Sequence, residues 1–243
     1  MQSIRWVRIS LLIVWGLISL AVRAQTLEAS PPLEMGDKWT YRFHNIGDKR
    51  EPYTFFHEVK GIENVSAWLY GESTQPNAQP PKFVWRVDMK RAEFVERFDH
   101  DAAAPNGAGK CTINRAANED SLQFPLSVGK KYSVKQKWDN GNGYTEYKAE
   151  IQALEKVKVE GGEFDAYRIK YTGFWNNTNG RSYSGRAEWT RWYAPSVKAT
   201  VKNEISDRTS DGRAWNQNTL ELVRWEPGAS ARAAPAPAPS ASK

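Results

Sequence analysis

From residue 37 onward the chain alternates apolar and polar side chains with a period of two, segment after segment. No other feature limits the fold as much. Such a pattern buries one face of an extended strand and leaves no stripe of helical period to pack. The clearest case runs Val157-Lys158-Val159-Glu160-Gly161-Gly162-Glu163-Phe164-Asp165-Ala166-Tyr167-Arg168-Ile169-Lys170-Tyr171. Two alternating runs flank a pair of glycines. Glycine accepts the positive φ of a tight two-residue turn, so the stretch predicts a β-hairpin turning on Gly161-Gly162.

The same reading extends along the chain. Trp39, Tyr41 and Phe43 share a face against Lys38, Thr40, Arg42 and His44. Tyr53, Phe55, His57 and Val59 form a second strand, 62–70 a third, Phe83, Trp85, Val87 and Met89 a fourth, and 92–98 a fifth. Later strands carry Tyr132, Val134 and Trp138; Tyr147, Ala149, Ile151 and Ala153; then Tyr167, Ile169 and Tyr171. Tyr183, Gly185, Ala187, Trp189 and Tyr193 follow, a turn at Pro195, then Val197, Ala199, Val201 and Ile205, with 220–225 closing the sheet. Residues 101–119 hold a run of three alanines at 102–104, Pro105 and two glycines, and are expected to be a long mobile connection. At most a short helix is expected in 113–122 or in the lead.

About a dozen antiparallel strands with aromatic residues on one face predict an all-β fold. A strongly curved sheet, a barrel or half-barrel, covers that face by bending; a sandwich is the other solution. Two similar halves, 33–100 and 121–227, are suggested by an echo. Leu33-Glu34-Met35-Gly36-Asp37-Lys38-Trp39-Thr40 and Leu126-Ser127-Val128-Gly129-Lys130-Lys131-Tyr132-Ser133 both read Leu, two residues, Gly, one residue, Lys, aromatic, hydroxyl. Chance recurrence is the alternative.

Residues 1–24 are expected to be a secretory signal peptide. Arg5 and Arg8 precede an apolar run, and Val22-Arg23-Ala24 offers a small-residue cleavage site. An uncleaved anchor is the alternative. With cleavage near Ala24 the protein is periplasmic or secreted, with no integral membrane segment left. Residues 25–227 then form a single β-rich domain. The Ala, Pro and Ser of 228–243 predict a disordered tail. The formal charge of +6 owes three units to the leader's Arg5, Arg8 and Arg23 and two to Arg232 and Lys243 in the tail. The body is close to neutral, and no basic stripe points to nucleic acid. Cys111 is the sole cysteine, in a loop with no nearby histidine, and reads as an incidental thiol.

Three segments resemble a group of exported bacterial proteins known mainly as domains of unknown function. Phe124-Pro125-Leu126-Ser127-Val128-Gly129-Lys130 is similar to that group's Phe-Pro-Leu-x-x-Gly-Lys strand entry. Residues 157–166 resemble its Val-x-Val-x-Gly-Gly-x-Phe-Asp-Ala hairpin. Tyr193-Ala194-Pro195-Ser196-Val197 resembles its Tyr-Ala-Pro-Gly-Val turn, with Ser196 in place of the glycine. The resemblance implies a β-rich periplasmic domain and no known reaction, cofactor or catalytic residue.

The residues themselves point to no catalytic constellation. His44 falls on a polar face. His57 falls on an aromatic one, as a buried histidine or a base facing a cavity. His100 lies between Asp99 and Asp101, without a second pair of metal-ligating residues at zinc spacing. Three functional readings remain. The first is a non-catalytic β-domain holding an amphiphilic ligand or an envelope partner protein in a concave sheet, lined by Tyr41, Phe55, His57, Trp85, Tyr167, Trp189 and Tyr193. The second is a glycan-binding module stacking sugars on exposed Trp175, Trp192 and Trp215, with Asn176 and Arg191. The third is a hydrolase using His57 or His100. The partners open to it are a lipid, a glycan or an envelope protein; no cofactor or metal is expected.

Overall fold

The computed structural model describes residues 26–47, 51–75, 81–104, 107–179 and 183–228. The expected leader and the expected tail beyond Gly228 lie outside them, as does Ser182. The strands are β1 (Lys38–Asn45), β2 (Tyr53–Glu63), β3 (Ser66–Ser73), β4 (Lys82–Asp88), β5 (Glu93–His100), β6 (Ala108–Asn114), β7 (Lys131–Lys137), β8 (Gly143–Val159), β9 (Gly162–Asn177), β10 (Tyr183–Ala194), β11 (Ala199–Thr209) and β12 (Ala214–Glu226). They form a single antiparallel sheet in the order β6-β5-β4-β3-β2-β1-β12-β11-β10-β9-β8-β7. Each half is a six-stranded meander, and the first strand pairs with the last.

Local irregularities bend this sheet. Register shifts fall at Thr40/Tyr41, Val59/Gly61, Arg86/Val87, Ile151/Ala153, Trp192/Tyr193 and Asp207/Arg208. Each extra residue kinks its strand and adds right-handed twist, so repeated bulges curl a long sheet toward a barrel. The curl stops short of closure: β6 and β7 are not paired. Instead the chain after β6 runs beside β7. Lys137 N–H donates to Asn118 Oδ1 (3.1 Å), Asn118 Nδ2 to Lys137 O (3.2 Å), and Glu119 N–H to Lys135 O (3.2 Å).

The echo between the halves has a structural counterpart. Gly36 and Gly129 both adopt positive φ, +84° and +90°. Gly36 N–H donates to Val59 O (3.0 Å) and Gly129 N–H to Ile151 O (2.8 Å). In return Val59 N–H donates to Asp37 O (2.9 Å) and Ile151 N–H to Lys130 O (3.0 Å). The repeated Leu-x-x-Gly is therefore one turn used twice, at the entries to β1 and β7.

Several expectations are corrected. Residues 101–119 contain strand β6, paired to β5. No helix occupies 113–122; after β6 the chain takes turns and bends. The alternation there was masked because β6 is an edge strand and largely exposed. The hairpin turns on Glu160-Gly161, since Val159 pairs with Gly162. Gly162 supplies the positive φ (+137°), whereas a Cβ on Gly161 would stand 3.0 Å from Leu222 O. Ala153 leaves the face of Ile151 because of the bulge between them. At Pro195–Val197, a turn of 3-10 helix, the left-handed position is Lys198 (φ +59°), so Ser196 is under no demand for glycine.

Burial divides into two clusters. One joins Trp39, Tyr41, Val59, Leu69 and Val87 of the first half to Val157, Val159 and Ala166 of the hairpin and to Leu222. The other packs Val134, Ile151, Tyr167, Ile169, Tyr171, Trp189 and Tyr193 around Leu122 and Leu126. Each buried large side chain contributes about 1.5–3 kcal/mol, so two separate cores can carry a long open sheet.

Candidate functional site

The concave side of the sheet is not filled. A cavity of about 180 Å³ lies among Trp39, Tyr41, Phe55, His57, Leu69, Val87, Arg191 and Tyr193. A second, of about 730 Å³, is walled by Phe43, Tyr53, Phe55, His57, Phe83, Trp85, Arg97 and Arg115. A third, of about 500 Å³, lies among Trp138, Tyr147, Trp175, Trp189, Arg191, Asp207 and Trp215. Phe94 lines all three, so they are compartments of one concavity.

Period-two geometry builds the aromatic wall. Tyr41 of β1 stands opposite Phe55 of β2, ring centroids 5.6 Å apart. His57 lies 5.2 Å from Phe55 and 5.1 Å from Phe94. Trp85 meets Phe94 edge-on at 5.3 Å. Burial among these rings, helped by the charge of Arg97, pushes the His57 pKa down to about 3. It is therefore neutral at ordinary pH, and it makes no hydrogen bond to a described residue. Burial raises Tyr41 as well, and Tyr193 to about 12.

Charge enters the concavity at several places, Lys198, Arg91, Glu119 and Lys137 among them. Arg191 follows Trp189 on the inner face of β10. Its guanidinium lies 4.1 Å from the Trp189 ring centre, donates to Ser121 Oγ (2.8 Å) and stands 3.8 Å from Glu93 Oε1. Glu93 Oε1 also accepts Ser121 N–H (2.9 Å), Leu122 N–H (3.1 Å) and the Ser121 hydroxyl. Tyr132 and Tyr171 hydroxyls donate to Ser121 O. These bonds strap the connection between the halves across the inner face. Arg115 donates from Nε to Asp139 Oδ1 (2.6 Å) and a second bond joins the same pair. Arg97 lies over Phe83, 4.6 Å from its centre. Burial raises the Asp207 carboxyl to about 6.

Of the first predicted set, Tyr41, Phe55, His57 and Tyr193 line the smallest cavity. Phe55, His57 and Trp85 line the largest, and Trp189 the third. Tyr167 lines none of them and is core, 1% exposed. The second set is dispersed. Trp175, expected at the surface, is 1% exposed and stacked under Trp215 at 5.2 Å; Trp215 is 49% exposed. Arg191 points inward. Trp192 and Asn176, on the alternate positions of their strands, fall on the opposite face, where Trp192 Nε1 donates to Glu155 Oε1 (2.9 Å). A strand sends neighbours to opposite sides, so residues adjacent in sequence could not form one platform.

Sequence reasoning missed Glu93, Phe94, Arg97, Arg115 and Ser121. The signal for Arg191 was present: its odd number places it between Trp189 and Tyr193. Arg97 had no such signal, because β5 buries Val95 on one side and packs Phe94 on the other; its pairing opposite Trp85 decides its side. His100 lies edge-on to Tyr70 at 5.2 Å, and Cys111 is exposed on β6. Among the described residues no three of His, Cys, Asp or Glu stand together as a metal site. No helix among them is long and apolar enough to cross a membrane.

No family model matches the chain, and no curated protein matches it. Similar solved structures include a protein described as exported with a YmcC-like fold from Bacteroides fragilis. It is 17% identical, with a TM-score of 0.43 over 82% of this chain and 99% of that one. A protein described as a lipoprotein from Parabacteroides distasonis is 13% identical, with a TM-score of 0.44 over 83% and 100%. The hypothetical lipoprotein YmcC from Escherichia coli is 9% identical, with a TM-score of 0.39 over 79% and 86%.

Proposed function

We propose that this chain is an exported, non-catalytic β-domain that holds an amphiphilic ligand in the concavity of its curled sheet. The observation that carries this reading is the unfilled inner wall. Three compartments meet at Phe94; the 180 and 730 Å³ ones present mainly rings and aliphatic side chains, and most of the charged groups lie in the third, among them Arg91, Glu119, Lys137, Asp139 and Asp207. Protein interiors otherwise pack with few voids larger than a water, and ligand sites are apolar concavities of about 300–1,000 Å³ with sparse polar groups. An enzyme reading has less to stand on: His57 is held neutral among rings with no hydrogen-bonded acid. Export rests on the leader-like first 24 residues.

The test is binding of the uncharged dye N-phenyl-1-naphthylamine, read by its fluorescence, with displacement by single-chain amphiphiles. We expect saturable binding, displacement, and quenching of the tryptophans that face the concavity. A protein that neither binds the dye nor changes its tryptophan emission with any amphiphile rules the reading out.

A second reading keeps one observation of its own. Trp215 is exposed, stacked on Trp175 and edge-on to the exposed Tyr183 at 5.7 Å. Such a surface suits a sugar face. Titration with cell-wall glycan fragments should then quench tryptophan emission, and Trp215→Ala should abolish that quenching.

A further inference from the structure

We propose that the ligand is an anion at one end: the 730 Å³ compartment receives a carboxylate or phosphate headgroup on Arg97, and the adjoining 180 Å³ compartment receives the apolar chain. This rests on the amphiphile reading above and specifies its chemistry.

The larger compartment is lined by two guanidiniums, by the amides of Gln75, Asn203 and Asn218 and the hydroxyls of Ser73 and Tyr53, and, among the described residues, by no carboxylate. Its two cations differ. Arg115 is neutralised by the paired bonds to Asp139. Arg97 has no carboxylate within ion-pair distance among the described residues. Asp99, two residues on, Asp139 and Tyr53 act on it only from further away, and Arg115 opposes them. Its Nε is buried without a hydrogen-bond partner. The guanidinium is half-buried, with its Nε shut off from both water and partner, and an incoming oxyanion would supply the missing counter-charge.

The guanidinium's setting suits such a ligand. The Phe83 and Trp85 rings lie 4.6 and 5.9 Å from its Cζ. Rings hold a guanidinium by its face and leave its N–H edge free for a bidentate oxyanion. His57, neutral on the same wall, neither competes nor repels. The smaller compartment shares Phe55, His57, Phe94 and Leu220 with the larger one and continues into Leu33, Leu69, Val87 and Met89; its two cations already have carboxylate partners, Arg191 in Glu93 and Lys198 in Glu34 and Asp37. A free anion has no use for that apolar extension, and an uncharged lipid leaves Arg97 unpaired. A molecule with both parts satisfies both compartments.

The experiment compares dodecanoate, dodecyl phosphate, dodecanol, dodecyltrimethylammonium and inorganic phosphate on the unaltered protein by calorimetry, then on Arg97→Gln and Arg97→Lys. We expect the two anionic amphiphiles to bind at least about 10-fold more tightly than dodecanol, with the cation weakest. Arg97→Gln should cost both anions about 10- to 100-fold and leave dodecanol unchanged, and Arg97→Lys should restore part of the loss. Dodecanol binding as tightly as dodecanoate, or anion affinity unaltered in Arg97→Gln, overturns the headgroup site while leaving the amphiphile reading intact. Inorganic phosphate matching dodecyl phosphate overturns the assignment of the chain compartment. No binding by any amphiphile overturns the underlying reading itself. The headgroup comparison on unaltered protein stands even where Arg97→Gln fails to fold.

Discussion

At the scale of single residues, His57 shows how a concave aromatic wall changes chemistry. In an unfolded chain its imidazole takes a proton near pH 6.5; inside the sheet it does so only near pH 3. Between those values the unfolded state binds more protons. The residue's contribution to stability is therefore complete above pH 6.5 and is lost as pH falls toward 3. At pH 5 the loss is about 2 kcal/mol. We expect the melting temperature to fall between pH 7.5 and pH 5 more steeply in the parent than in His57→Phe; parallel slopes would refute the burial of this ring. Asp207 works in the other direction. Its carboxyl is raised to about 6 by burial, so its contribution is complete below pH 3.8 and lost as pH rises through 6. The two partly cancel in the parent, which is why the comparison must be with a variant. Sequence placed His57 on the aromatic face correctly. What it lacked was the surroundings: Phe94 and Arg97 reach His57 only because β5 curls over from three strands away.

At the scale of elements, the β8–β9 hairpin was the most legible unit and also the one whose role was most underestimated. Alternation put Tyr167, Ile169 and Tyr171 on a buried face, and they are buried. It could not foresee that Ala166, on the opposite face, is equally buried, or that Val157 and Val159 join the core of the other half. The hairpin outruns β10, whose pairing with β9 ends at Tyr193↔Tyr167. Its tip then reaches β12 and β1: Gly161 N–H donates to Leu222 O (2.9 Å), and Glu160 pairs with Arg42 at 2.5 Å. The exposed ion pair contributes little; the close backbone approach matters more. Gly161→Ala would place a methyl against the Leu222 carbonyl, which cannot swing aside as a side chain can. We expect a loss of about 1–3 kcal/mol in urea denaturation. A change below about 0.5 kcal/mol would mean that the tip is not docked.

At the scale of the whole molecule, the two meanders meet along two junctions of unequal kind. The β1–β12 junction is a ladder from Lys38↔Glu226 to Asn45↔Asn218, interrupted once by the bulge at Thr40/Tyr41. The β6–β7 junction is a seam held by Asn118, Glu119 and the Arg115–Asp139 pair. Backbone amides at the seam should open at lower cost than those in the ladder. Asn118→Ala is expected to speed hydrogen exchange at the Lys137 amide by about 5-fold, for the roughly 1 kcal/mol hydrogen bond it removes, with the β1–β12 amides unchanged. Equal protection at both junctions in the parent would show the seam to be as firm as the ladder.

What the sequence determined by itself was local. Period-two patterning marked the strands other than β6, the faces of β1 and β2 and the existence of the β8–β9 hairpin, though not its turn residues, because each depends on neighbours a few residues apart. What only the tertiary structure decided was which faces meet and what the bend encloses. The bulges that curl the sheet leave no mark in an alternating pattern. The cavities, the strap at Ser121 and the lone guanidinium of Arg97 arise from the meeting of strands far apart in the chain.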